Sequence, residues 1–329
     1  VSMSPDTWQA VAIASEIGKR PRRILLAGVP VVLFRSGETI AALHDRCPHR
    51  HVELSKGKVE NGEIECPYHG WRFNAAGGCT AIPGHTGAVP GYRVPRLTTF
   101  VKEGVVFVAS GAPKDEPYLH CAEGQKIIVK LVSSSTRSTL VDAAENILDA
   151  THTHFTHKGL LRGLSSERQR VRVDVTGGPG WVEACYTGEE RQNGLISRLL
   201  EGERVRTIGR FRYPGIAELE YWGPKGLVLA TTFHLRQAAE SQVDGIGCLI
   251  GPQGGLLDHL KSLAFRPMFR IALEQDRRVL ASASRNAAYC PQASAIIGPL
   301  DFLRRSIEAI MDGAAPPAAN QPESFSFEL

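Results

Sequence analysis

Two short pairs of metal-binding side chains stand in the first quarter of this sequence. Cys47 and His49 are separated by one residue in CPHRH, and Cys66 and His69 by two in CPYHGW. Sixteen residues lie between the pairs, and the turn-rich Lys56-Gly57-Lys58 and Glu60-Asn61-Gly62-Glu63 predict two short strands there. Each pair offers one thiolate and one imidazole, and Pro48 and Pro67 after the cysteines stiffen the loop tips. Side by side, the tips present two sulfurs and two nitrogens to one inorganic centre. Zinc accepts that set, but its usual spacing pairs cysteine with cysteine and histidine with histidine. One of each from each loop is what a two-iron cluster needs when two thiolates hold one iron and two imidazoles the other.

A second set lies in mid-chain. Asn146, Asp149 and His152 recur every three residues in a stretch that reads as helix from Ser135 to about Thr153, so they share a face. Polar groups on a face otherwise turned to the core need a partner, and a metal supplies one. His157 is rotated by about 140° from that face, so the helix must end or bulge before it can join. Gly159 marks an ending nearby, and His154, pointing elsewhere, is the rival second ligand. Two histidines and a carboxylate on one side of a metal form the triad of non-heme iron(II) oxygenases, with positions open for dioxygen and substrate. Asp276, in Glu274-Gln275-Asp276-Arg277-Arg278, is the preferred carboxylate, and Glu274 the alternative.

The first string resembles the Rieske [2Fe–2S] motif, including Arg50 and the Tyr68, Gly70 and Trp71 around the second pair. His51 departs from it, standing where resembling sequences more often have a small residue. With the mid-chain set, the chain from about Trp8 to Met311 resembles the oxygenase (alpha) component of Rieske non-heme iron oxygenases, monooxygenase/demethylase branch. The resemblance implies cluster ligands Cys47, His49, Cys66 and His69. It also implies His152, His157 and Asp276 as ligands of a mononuclear Fe(II), with Asn146 and Asp149 as catalytic-site residues and Asp149 a bridge rather than a ligand. It further implies head-to-tail homotrimers in which His69 meets the partner subunit's Asp149.

Activating dioxygen takes two electrons beyond those of the substrate, so a one-electron store beside an open-site iron is a minimal oxygenase. Gly177-Gly178-Pro179-Gly180 and Gly251-Pro252-Gln253-Gly254-Gly255 lack the nicotinamide or flavin fingerprint. Electrons are therefore expected from a separate ferredoxin or reductase. The expected reaction is hydroxylation or demethylation of a hydrophobic, aromatic small molecule, with a ring-dihydroxylating dioxygenase as the alternative. A Rieske electron-transfer protein without catalytic iron, or a zinc-stabilised binding module, are the readings from other classes; iron content and colour distinguish them. Phe211, Tyr221, Trp222, Phe233, His234, Leu160, Leu161, Leu199 and Leu200 are the expected pocket residues.

The elements that must hold these groups give an α+β chain. Residues 1–115 read as an all-β Rieske domain of short strands, closed by the Pro- and Gly-rich 111–117. Residues 116–312 read as a catalytic domain in which an antiparallel sheet (alternating segments from Val171 to Ile250) wraps long helices, a helix-grip arrangement. Its first helix takes an N-cap from Ser133–Thr136. The second runs from Leu256 to about Ala283, kinked or split by Pro267, and a short amphipathic helix spans Phe302 to Met311. Residues 313–329, with AAPPAANQPES, read as a poorly ordered tail.

Of 329 residues, 43% are hydrophobic and 22% charged, and 38 basic against 34 acidic residues leave +4, too weak a charge for nucleic acid. Seven cysteines without a disulfide framework point to a reducing cytoplasm. No N-terminal charged-then-apolar run predicts a signal peptide, and Ile24–Phe34, broken by Gly28 and Pro30, is too short to span a bilayer.

Overall fold

The computed structural model describes residues 4–161, 168–189, 194, 195, 197 and 203–329. The chain divides into two units, one reaching to Tyr118 and including Arg236–Glu240, the other holding Leu119–Leu235 and Ser241–Leu329.

The first unit is built from ten strands: β1 (Gln9–Ile13), β2 (Arg22–Leu26), β3 (Val29–Ser36), β4 (Thr39–His44), β5 (Lys58–Glu60), β6 (Glu63–Glu65), β7 (Arg72–Phe73), β8 (Cys79–Ala81), β9 (Arg96–Lys102) and β10 (Val105–Ala109). Six form a sheet in the order β1-β10-β9-β4-β3-β2, and β5 to β8 form a four-stranded meander. Val31, Leu33 and Ile40 of the larger sheet face one buried cluster with Val106 and Val108. Val32, Phe34 and Leu43, on the alternate face, join Leu54, Ile64 and Phe73 in a second. That alternation is the period-two pattern of a sheet covered on both sides. The second cluster also contains Cys47 and Cys66, so the meander and the sheet carry the two loops on a shared apolar base.

The second unit holds an eight-stranded antiparallel sheet and five helices among the described residues. Its strands are β11 (Ile127–Thr136), β12 (Arg170–Gly178), β13 (Trp181–Thr187), β14 (Arg206–Arg212), β15 (Ile216–Gly223), β16 (Gly226–Ala239), β17 (Gln242–Pro252) and β18 (Glu323–Glu328), in the order β11-β17-β16-β15-β14-β13-β12-β18. The helices are α1 (Leu140–Leu148), α2 (Thr153–Thr156), α3 (Leu256–Ala287), α4 (Arg304–Met311) and α5 (Pro317–Asn320). Val171, Val173 and Val175 point inward from β12 while Arg170 and Arg172 point out, and Leu303, Ile307 and Ile310 beside and on α4 pack on that inner face. Each fully buried aliphatic side chain there contributes about 1.5–3 kcal/mol. No helix of the described residues is long and apolar enough to cross a membrane.

Four local expectations are corrected. Ser133–Thr136 do not cap a helix, because β11 pairs with β17 through Thr136; Thr139 is the N-cap, accepting from the Asp142 amide at 3.1 Å. The first helix is nine residues long, not a long one reaching Thr153. Pro267 does not split α3, which runs unbroken for 32 residues; Pro267 lies on the exposed side, where water can satisfy the carbonyl it leaves unbonded. The C-terminal stretch is not loose. It forms α5 and β18, which pairs with β12 from Arg170↔Glu328 to Val175↔Glu323, and Leu329 is buried. Phe325 and Phe327 alternate toward Phe302, a period-two pattern hidden behind the Pro/Ala-rich segment before it.

Candidate functional site: two metal centres

Both cysteine–histidine loops close in the same way. The Cys47 amide donates to Val52 O at 2.9 Å and the His51 amide to Cys47 O at 2.9 Å. In the second loop the Cys66 amide donates to Trp71 O at 2.8 Å and the Gly70 amide to Cys66 O at 3.0 Å. The residue four past each cysteine, His51 (φ 61°) or Gly70 (φ 71°), takes the left-handed conformation. His51 therefore fills a backbone position that favours glycine, the physical reason a small residue suits it.

Within these loops the sulfurs and the rings separate. Cys47 and Cys66 are buried, whereas His49 and His69 are exposed, their ring centroids 4.6 Å apart. His49 stacks on Trp71 at 4.8 Å, and Tyr68 lies 3.8 Å from His69. Burial, with Cys66 alongside, pushes the Cys47 thiol up to about 11, so without a metal it stays protonated. Two buried thiols and two exposed imidazoles are the donor set that would hold a two-iron cluster through two sulfurs and two nitrogens.

The mid-chain residues converge differently from a shared helix face. α1 ends at Leu148, and Asp149 turns extended (φ −75°, ψ 119°). Its carboxylate accepts from the Thr151 amide at 2.6 Å, the Thr151 hydroxyl at 2.7 Å and the His152 amide at 3.1 Å, a local competitor to helix. His152 then precedes α2 and His157 follows it, so one short turn brings both rings to the same point.

His152 Nε2 and His157 Nε2 lie 3.3 Å apart, and Asp276 Oδ1 on α3 is 3.6 Å and 3.0 Å from them respectively. Donors about 2.1 Å from a metal and at right angles are about 3 Å apart, so the three atoms fit one ion. Asp276 Oδ1 is buried and has no hydrogen-bond partner among the described residues, as expected of an oxygen shaped for a cation. The other ring nitrogens are held: His157 Nδ1 donates to Gln275 Oε1 at 2.8 Å, and His152 Nδ1 faces Asp149 Oδ2 at 3.3 Å. Each Nε2 lone pair is thereby left for a metal.

Burial opposes charge on His152, but Asp149 and Asp276 outweigh it and raise the imidazole to about 9. Burial likewise opposes the Asp276 carboxylate, yet the two facing imidazoles hold it below the usual range. Glu274 lies outside the convergent set. It is half-buried and held by Arg277 at 2.6 Å and Arg278 at 2.9 Å, which depress it to about 2. His154 is not part of the convergent set.

The triad opens on a cavity of about 110 Å³. Its floor is a row across four strands, Tyr186↔Thr207↔Tyr221↔Leu229, flanked by Leu219↔Thr231. Its roof is one face of α3, Phe269, Ala272, Leu273 and Asp276, at helical spacing. Asn146 lines it too, and an adjoining chamber of about 200 Å³ shares Asn146, Phe233 and Asp276.

Of the expected pocket residues, Tyr221, Phe233 and Leu161 line the cavity. Phe211 packs in the core, Trp222 bonds Glu220, His234 bonds Leu119 O and Leu160 packs in the core behind Phe233. Leu199 and Leu200 lie outside the described residues. Gln275, Glu189, Arg204 and Thr231 escape the sequence reading. Only Gln275 carried a signal, its place beside Asp276.

Residues 7–99 match the Rieske [2Fe-2S] domain family. The chain is 34% identical over 153 residues to the 3-chlorobenzoate-3,4-dioxygenase oxygenase subunit of Comamonas testosteroni, covering 44% of this chain and 35% of that protein. It is 33% identical over 170 residues to methylxanthine N3-demethylase NdmB of Pseudomonas putida, covering 47% and 48%. Across the curated relatives compared, the matches span between 24% and 57% of the relative's length. In fold, the crystal structure of dicamba monooxygenase bound to dicamba aligns with TM-score 0.79 at 18% identity, over 94% of this chain and 96% of that one.

Proposed function

We propose that this chain is a Rieske non-heme iron oxygenase, the terminal oxygenase component that hydroxylates or demethylates a hydrophobic aromatic small molecule with O2 and externally supplied electrons. The observation that carries this reading is the convergence of His152 Nε2, His157 Nε2 and Asp276 Oδ1 at the wall of a largely apolar cavity. An electron-transfer protein has no use for that arrangement.

In this reading Cys47, His49, Cys66 and His69 hold the [2Fe–2S] cluster and His152, His157 and Asp276 hold one Fe(II). Bound iron supplies a site for dioxygen, and the cluster supplies an electron. The chain's own groups do the rest. Gln275 and Asp149 fix the two imidazoles, and Leu219, Leu229, Phe233, Phe269 and Leu273 exclude water and hold an aromatic body. Asp149 also bridges toward a cluster histidine, His69 of the partner subunit, in a head-to-tail homotrimer. A separate ferredoxin or reductase supplies the electrons. The monooxygenase/demethylase outcome is preferred over ring dihydroxylation.

Iron analysis and coupled turnover test this. About three irons per chain are expected, against about two for an electron carrier. Oxygen uptake should require an aromatic substrate, with formaldehyde released from methoxy or N-methyl compounds. Two irons per chain, or uptake indifferent to every aromatic compound, would remove the assignment.

A further inference from the structure

One wall of the cavity carries charge. The side chains of Glu189 and Arg204 are both buried, and Arg204 Nη1 lies 2.8 Å from Glu189 Oε2. The same oxygen accepts from Thr207 Oγ1 at 3.3 Å, and the Arg204 guanidinium lies over the Tyr221 ring, 4.3 Å from its centroid. All four residues line the cavity, and Arg204 is the one lysine or arginine among its described lining residues. In the adjoining chamber, Arg277 is held by Glu274 and Arg270 is exposed to solvent.

An anionic ligand needs a cation that it can claim after leaving water. Here the fixed cation is already neutralised inside the wall by Glu189, and Asp149 also lines the cavity, whereas the Asp276 charge is taken up by the iron in the loaded protein. A carboxylate entering the cavity would meet Glu189 beside Arg204 and compete with it for the same guanidinium. A neutral polar group meets no such penalty. It also finds a partner: Thr231 Oγ1 lines the cavity, is buried, and has no hydrogen-bond partner among the described residues. A hydroxyl facing an apolar cavity without a partner can donate to a ligand carbonyl or ring nitrogen.

We infer that the Arg204–Glu189 pair and the Thr231 hydroxyl make this cavity select uncharged aromatic or heteroaromatic substrates bearing a hydrogen-bond acceptor, and reject the matching free acids. This rests on the oxygenase reading above and names its substrate class. Glu189 is the specificity determinant, because its carboxylate neutralises the Arg204 guanidinium that an anion would need.

The test is binding of matched pairs, such as methoxybenzamides against methoxybenzoates, to the full-length, iron-loaded protein, read by equilibrium dialysis and thermal shift without turnover. The wild type is expected to bind the amide at least about tenfold more tightly than the acid. Glu189→Gln, which removes the carboxylate charge beside Arg204, should narrow that ratio, and Thr231→Val should weaken the amide while leaving a purely hydrocarbon ligand unchanged. Equal or tighter binding of acids by the wild type overturns the inference even if Glu189→Gln does not fold. So does a ratio unmoved in a folded Glu189→Gln protein. Those results leave the oxygenase reading standing, because iron content and substrate-coupled oxygen uptake do not depend on them.

Discussion

His157 Nδ1 donates a 2.8 Å hydrogen bond to Gln275 Oε1, and Gln275 is the neighbour of Asp276 on α3. The helix thus supplies both a metal-facing oxygen and the group that turns the opposing imidazole toward it. Gln275→Leu should lower iron affinity about 10- to 100-fold while the visible absorbance of the cluster persists. Chelator competition monitored by iron analysis reads the effect; unaltered affinity would reduce Gln275 to a packing residue.

Asp149 ties Thr151 to His152 and sits at the end of α1. In Asp149→Asn the cluster and the mononuclear iron should both load, yet product formation should collapse and reduced cluster should persist under O2. Iron analysis with single-turnover electron paramagnetic resonance checks this; near-normal turnover would take Asp149 off the electron path.

The proton and the metal compete at His152. Without metal, its pKa of about 9 exceeds the unperturbed 6.5. A raised folded-state value stabilises the metal-free fold fully below pH 6.5, and that contribution, about 3 kcal/mol, is lost as pH rises through 9. Iron affinity should move the opposite way, rising with pH across the same window. Thermal melts of the chelated and iron-loaded protein from pH 6 to 9.5 should therefore diverge, and parallel curves would contradict the coupling.

At φ 61°, His51 occupies the first loop as Gly70 occupies the second. His51→Gly should keep the cluster and alter stability by no more than about 1 kcal/mol, since relief of the left-handed cost offsets the added chain entropy. His51→Val, β-branched at that φ, should lose cluster absorbance. Retention in both would show that the loop tolerates other geometries.

β18 covers the edge of β12, and Leu329 is buried behind it. Deleting residues 323–329 should cost about 3 kcal/mol, roughly 6–12 °C in the melting midpoint, mainly through lost apolar burial. A midpoint unchanged by the deletion would mean that the edge needs no cover.

Local chemistry made part of this protein legible from sequence alone. Cysteine and histidine spacing marks the cluster loops because a backbone loop places ligands a few residues apart, and period-two alternation marks β12 and β13 because one face is buried. The mid-chain histidines were legible as residues but not as geometry: a continuous helix was expected where Asp149 instead breaks it with hydrogen bonds to Thr151 and His152. Contacts between distant segments were decided only by tertiary packing. Residues 119 positions apart place Asp276 beside His157, Glu189 finds Arg204 across fifteen positions, and β18 reaches β12 from the far end of the chain. No periodicity encodes such pairings, because they depend on which buried surfaces meet and not on the order of neighbouring side chains.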